Sequence, residues 1–344
     1  MKLVTASAAL TFAALMGGTA LAQSNTLVIN SFGGAYEQAH RKCVIEPFEK
    51  TTGASVKIVT AYSADAFAQV RAQKAAPQFD VIHFSGGQEI VAASEGLISP
   101  LDPAKVPNLA NLYDFAKKNV AKGEGPAYSI AAIGLVVNSK KVPKEPTSWK
   151  NLMDPSFGDH VVLTDISNGY GMLGFLQLNA VMGGNLDNIQ PGLDAVKTLL
   201  KAGAVVVKTS PEIQQAFAQN DAWIAPYASD YAFTLKKANM PAKFIQAKEG
   251  TPASFITANL VANRPNGDLA SKFIDMTISA EAQGCFAEAL RYTPTNAKVK
   301  VSDEVAADIA YGEKAASGLL RFDPTVIEAK RASWVEAWNK AIAK

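Results

Sequence analysis

Short apolar runs alternate with amphipathic stretches along this chain, beginning at Thr26. TLVIN is apolar and β-branched, as a buried parallel strand should be. Ser31–Tyr36 is a turn with adjacent glycines at 33 and 34, and a helical pattern follows it. That helix places Ala39, Cys43 and Val44 on one face, and Pro47 is expected to bend or stop it. Ser55–Tyr62 reads as a second strand, and Ser63 as the N-cap of a helix running through Ala76. Phe79–Phe84 is a third strand, ending in the turn Ser85-Gly86-Gly87, with a helix from near Gln88 to Glu95. This βαβαβ order predicts an α/β fold built on a parallel doubly wound sheet.

Further along, Asn108–Val120 has helical spacing and Tyr128–Asn138 is a mostly apolar strand. A crossover between two lobes is placed along Ile133–Asn138, before the Lys- and Pro-rich stretch Lys140–Pro146. The second lobe is expected to hold a short helix at Trp149–Met153, a strand at Val161–Thr164 with its turn Asp165–Gly171, and a helix at Met172–Val181. A helix at Leu193–Ala202, a strand at Val205–Lys208 and a helix start at Ser210-Pro211-Glu212 follow. Ala222–Ala225 is a strand with Tyr227–Asp230 at its end, and Thr257–Ala262 carries the chain back. Ser279–Leu290 is helical, and Tyr292–Asn296 is a rigid extended turn. Asp323-Pro324 starts a last helix whose apolar stripe is Ile327, Trp334, Trp338 and Ala341.

Composition narrows the function classes. The chain has 344 residues, 48% of them hydrophobic, enough for two domains, and its net charge of +2 gives no footprint for nucleic acid or an anionic membrane. Met1–Ala22 has the physics of a signal peptide, with Lys2 before a short apolar core and a small-residue cleavage site at Ala20-Leu21-Ala22. No later apolar run approaches a membrane span of ~20 residues. The mature chain is therefore expected to be periplasmic. The oxidising compartment would permit a disulfide between Cys43 and Cys285, two buried small hydrophobes being the alternative.

Neither catalysis nor metal binding is legible. His40, His83 and His160 form no metal-ligand spacing, and no nucleophile elbow, P-loop or dinucleotide fingerprint is present. No cofactor is called for. What recurs is a strand running into a turn of glycine and hydroxyl residues, the place where parallel sheets hold ligands. Such turns offer backbone N–H donors to an anion.

TLVINSFGGAY, EPFEKTTGASV, FDVIHFSGGQEIVAASEGLISPLD, AIGLVVNSKKV, PTSWKNLMDPSFGDHVVLTD and YTPTN occur in an order that resembles the spermidine/putrescine-binding family of ABC-importer receptors. The resemblance covers nearly the whole mature chain. It implies a two-lobed type II periplasmic binding fold, each lobe a mainly parallel sheet flanked by helices, with a hinge and an interlobe cleft. The lobes it implies are 23–133 plus 258–295, and 134–257 plus 296–344. It also implies a non-enzymatic monomer that captures a small-molecule solute and delivers it to a membrane permease.

Site residues follow by segment. Ser31, Gly33, Gly34 and Tyr36 match the first binding loop, and Ser85, Gly86 and Gly87 the second. Asp165, Asn168 and Tyr170 follow a strand end where polyamine binders place acids. Tyr227 and Asp230 lie near an aromatic-plus-polar contact, and Phe255 and Thr257 match an aromatic and an acid. Thr257 departs from that pattern, since a buried ammonium needs a carboxylate. Asp165 and Asp230 remain as amine partners, with Tyr36, Tyr170 and Tyr227 as cation–π faces. Each has a plainer reading: Asp165 as a helix cap, Tyr227 as lobe packing, Asp230 as a solvated turn acid. A diamine, or a solute with an amine at one end and a carboxylate or phosphonate at the other, fits these residues. Thiamine or another cationic cofactor, a ferric ion, and an exported enzyme on the same fold are the alternatives.

Overall fold

The computed structural model describes residues 25–142 and 144–343. The leader read at Met1–Ala22 lies outside the described residues. No described helix is long and apolar enough to cross a membrane.

The first sheet grows from β1 (Thr26–Ser31), whose Leu27 and Ile29 pack in one core cluster and whose Val28 packs against another. It pairs in parallel with β2 (Ser55–Thr60), from Thr26 opposite Ser55 to Ser31 opposite Thr60, and with β3 (Val81–Phe84) through Ile29 and Val81. The helix after β1 does not stop at Pro47. An α-segment (Gly34–His40) widens into a π-segment (Arg41–Ile45), and a second α-segment (Glu46–Thr52) starts with Pro47 in its first turn. The widened π-turn just ahead of Pro47 absorbs the loss of its N–H donor, so the chain continues. Cys43 in the π-segment is bonded to Cys285, with Cα atoms 5.5 Å apart.

After β4 (Ile98–Ser99) the helix expected at Asn108–Val120 is broken into short pieces. Leu112 is extended and bridges Asn296, and the N–H of Tyr113 donates to the carbonyl of Thr295 at 2.8 Å. That pairing overrides the helical spacing of Leu109, Leu112, Ala116 and Val120, all of which stay buried.

β5 (Ala127–Asn138) is buried along its whole length and belongs to both sheets. Its residues up to Ala132 pair with β10 (Ala253–Val261) and β11 (Thr293–Pro294). From Ile133 on, it pairs with β8 (Ile224–Ala228) and β9 (Ala242–Ile245). β6 (Val162–Thr164) and β7 (Val205–Val207) complete the second sheet in parallel, joined to β8 by a bridge between Val161 and Ile224. The sheets are less uniformly parallel than expected, because β5 and β10 run antiparallel to their neighbours.

Three segments cross side by side at the waist. The N–H of Ile133 donates to Pro252, that of Ala253 to Leu320, and that of Leu320 to Thr251, at 2.7, 2.9 and 2.9 Å. The return crossing therefore precedes Thr257, and both Phe255 and Thr257 sit in the first sheet. The C-terminal segment divides: Ala310 and Leu319 pack in the first core, while Ile327, Trp334, Trp338 and Ala341 pack in the second.

Candidate functional site

The first-lobe tips are built on positive-φ glycines. Gly33 and Gly34 have φ of +74° and +53°, and a Cβ on Gly33 would lie 3.1 Å from the Thr60 methyl, so glycine is required for this turn. Ser31 is buried, with its hydroxyl 3.3 Å from His40 Nδ1. The Tyr36 ring packs on Phe286 and Tyr292 at 5.7 and 6.4 Å, and its hydroxyl meets that of Tyr128. Burial holds the Tyr36 and Tyr128 phenols well above their ordinary range. It also pushes His40 down to about 3, against the similarly neutral His83.

The second turn spends its polar groups inside the protein. The N–H of Ser85 donates to Ser63 Oγ at 2.9 Å, and the N–H of Gly86 donates to Gln88 Oε1 at 3.0 Å. The Ser254 hydroxyl donates to the Ser85 carbonyl. Ser63 is the first residue of its helix rather than the cap, which is Tyr62. Gly87, at φ +87°, touches Pro324 so closely that a Cβ would lie 2.0 Å away.

In the second lobe, Asp165 is committed to local structure. One oxygen accepts from Ser167 N and Oγ at 2.9 and 2.5 Å, the other from Trp338 Nε1 at 3.1 Å. Asn168 caps the helix Gly169–Val181, accepting from Tyr170 N at 2.9 Å. Tyr227 is wholly buried in β8 and stands edge-on to Tyr170 and Tyr231.

Asp230 differs from the solvated turn acid of the plainer reading. Its residue exposure is 8%, and it lies in the first turn of the helix Ser229–Lys237. Oδ2 accepts from the Tyr292 hydroxyl at 3.4 Å, and Oδ1 has no partner among the described residues. Burial pushes this carboxyl up to about 7. Tyr170 and Tyr292 face each other across the lobes, hydroxyls 3.3 Å apart. Tyr292 reaches this place because Arg291 turns the chain at φ +58° and is held by Asp308 and Glu304 at 3.1 and 3.0 Å.

A second acid is also buried. Glu89 is 1% exposed; Oε1 accepts from Arg321 Nη2 at 3.1 Å, and Oε2 has no partner among the described residues. Burial pushes Glu89 up to about 7, against the pull of Arg321. The Arg321 guanidinium lies 4.8 Å from the Phe255 ring centre. Thr257 accepts from Asn259 Nδ2 at 3.0 Å.

The structure thus brings Tyr36, Tyr170 and Asp230 together around Tyr292, and sets Phe255 beside Glu89 and Arg321. It ties Asp165, Ser85 and Gly86 into their own surroundings. Tyr292, Glu89, Arg321 and the exposed Tyr62, stacked on Phe32 at 6.4 Å, were not singled out from sequence. The YTPTN segment was the one sequence signal for Tyr292. Nothing local marks the other three.

A family model described as bacterial extracellular solute-binding protein matches residues 44–313. The gamma-aminobutyric acid-binding protein of Pseudomonas aeruginosa is 24% identical over 300 residues, covering 83% of this chain and 81% of that one. The spermidine/putrescine-binding periplasmic protein of Escherichia coli is 26% identical over 275 residues, covering 77% and 78%. Among solved structures, an ABC transporter from Clostridium perfringens aligns with a TM-score of 0.77 at 25% identity, covering 92% of this chain and all (100%) of that one. An extracellular solute-binding protein from Bordetella parapertussis aligns at 0.78 with 21% identity, covering 93% and 99%, a likeness of fold.

Proposed function

We propose, on the premise that this chain belongs to the bacterial extracellular solute-binding protein family, that it captures a small amine-bearing solute between its two lobes. As a family member it is the solute-binding component of an ABC transporter, a receptor rather than an enzyme, with a permease as partner. The finer reading is a periplasmic monomer whose solute is polyamine-like or amino-acid-like. Its lobes are those read from sequence, with the return boundary moved to the crossing at residues 251–253 and the C-terminal segment divided between the two.

One observation carries the amine: a buried carboxylate, Asp230, whose Oδ1 has no partner among the described residues and whose recorded neighbours are the Tyr292 hydroxyl and backbone N–H groups of its own helix start, not a cation. An unpaired buried carboxylate is costly, and an ammonium removes that cost by supplying charge and donors. Tyr170 from one lobe and Tyr292 from the other complete the seat, so occupation ties the lobes together. Solute contacts to both lobes favour the closed arrangement over an open one, a population shift about the three-stranded waist. The relatives named for γ-aminobutyrate and for spermidine and putrescine support an amine in the solute. Tyr62, 68% exposed and stacked on Phe32, favours a second reading in which a cationic aromatic such as thiamine lies on that face.

A thermal-shift screen of amines, ω-amino acids and thiamine at pH 8 tests this. A solute at a hundred times its Kd adds about 2.7 kcal/mol of stability. Asp230→Asn should abolish the shift while the variant stays folded. An undiminished shift in the variant contradicts the placement.

A further inference from the structure

Phe255 and Glu89 together make a seat for a cation: an aromatic face and a buried carboxylate side by side. In this chain the seat is already filled by Arg321, whose guanidinium lies on the ring and donates to Glu89. We propose that Arg321 is a specificity-determining residue, a built-in cation that excludes a second ligand ammonium and receives an anionic group instead. The inference rests on the amine-receptor reading and names its class: solutes with an ammonium at one end and a carboxylate at the other.

The charges support this assignment. Among the described residues no cation is recorded against the buried Asp230, whereas Glu89 is matched by Arg321. A diamine would bring two positive charges to one unmatched acid, and its second ammonium would meet a guanidinium. A zwitterion brings opposite ends to opposite charges. Only Nη2 of Arg321 is engaged by Glu89, so the flat edge that carboxylates prefer keeps donors to offer. Arg321 also lines an open cavity of about 390 Å3 with Gln177, Val181, Phe322 and one acid, Glu249.

The backbone holds Arg321 firmly. Leu320, its neighbour, has both its N–H and its carbonyl bonded to the crossing at residues 251–253, and Pro324 rests on Gly87. The two seats are carried by segments on either side of β5. Thr293, next to Tyr292, and Phe255 both lie opposite Ile130 on β5. Two strand spacings therefore separate them, about 10 Å at the backbone.

Calorimetric titration with 4-aminobutanoate and 1,4-diaminobutane, equal in chain length and different at one end, tests the inference. The wild type is expected to prefer the amino acid at least tenfold. Arg321→Gln should weaken the amino acid by roughly ten- to a hundred-fold, the worth of a charged hydrogen bond, and tighten the diamine. Because that variant strands Glu89, the double variant Glu89→Gln/Arg321→Gln removes both charges, and it should lose the preference without gaining diamine affinity. A wild type that favours the diamine, or a preference unchanged in both variants, overturns the role of Arg321 and leaves the amine receptor standing. A wild type that binds neither compound overturns the inference, and a blank screen of other amines then removes the receptor reading as well.

Discussion

Replacing Asp230 with asparagine should stabilise the empty protein at high pH while removing its capacity to bind an amine. The carboxyl stands at about 7 in the fold, against an ordinary 3.8, because burial disfavours its charged form. Between those values the folded chain holds a proton that the unfolded chain has released. Stability therefore falls as pH rises, from full value below about 4 to its lowest above about 7. At about 1.4 kcal/mol per tenfold difference in proton affinity, the gap amounts to about 4 kcal/mol. Asparagine has no charge to desolvate and keeps the shape. The stability of Asp230→Asn relative to wild type should thus rise by about 3 kcal/mol between pH 4.5 and pH 8, as an upper estimate, because part of the gap already lies below pH 4.5. Glu89, also pushed up to about 7, is common to both proteins and cancels. Urea unfolding at the two pH values gives the comparison directly. Parallel pH profiles for the two proteins would refute the claim that Asp230 is a stranded buried acid.

Other residues give independent checks. Reducing the bond between Cys43 and Cys285, which closes a loop of 242 residues, should cost about 3–5 kcal/mol in a urea melt with and without reductant. Asp165→Ala strands the Trp338 indole N–H and the Ser167 groups, so it should lose about 2–3 kcal/mol by the same assay. Solute affinity in that variant should stay within about twofold once folded, since the carboxylate is engaged inside its own lobe. Gly87→Ala would drive a Cβ into Pro324 at a left-handed φ, and a loss of 2 kcal/mol or more is expected in thermal unfolding.

The opening βαβαβ unit was legible because its strands are β-branched runs separated by amphipathic stretches. The fold departs from that reading where distant pairing wins. Leu112 and Tyr113 extend to meet residues 295–297, and Pro47 is accommodated by a π-turn that composition does not announce. β9 went unseen because AKFI is short and alternates weakly. The site divides in the same way. Tyr170 and Asp230 stand at element ends that a reader of sequence can find. Whether an acid is free or engaged depends on partners far along the chain: Trp338 neutralises the candidacy of Asp165 from 173 residues away. Arg321 meets Glu89 across 232 residues, which no local pattern encodes.

Small-angle X-ray scattering of the mature chain, with and without a saturating ω-amino acid, puts lobe closure to the most direct test. Occupation of the seat between Tyr170, Asp230 and Tyr292 should shrink the radius of gyration, and Asp230→Asn should show no change. A radius unaltered by a solute that demonstrably binds the wild type would contradict capture between the lobes.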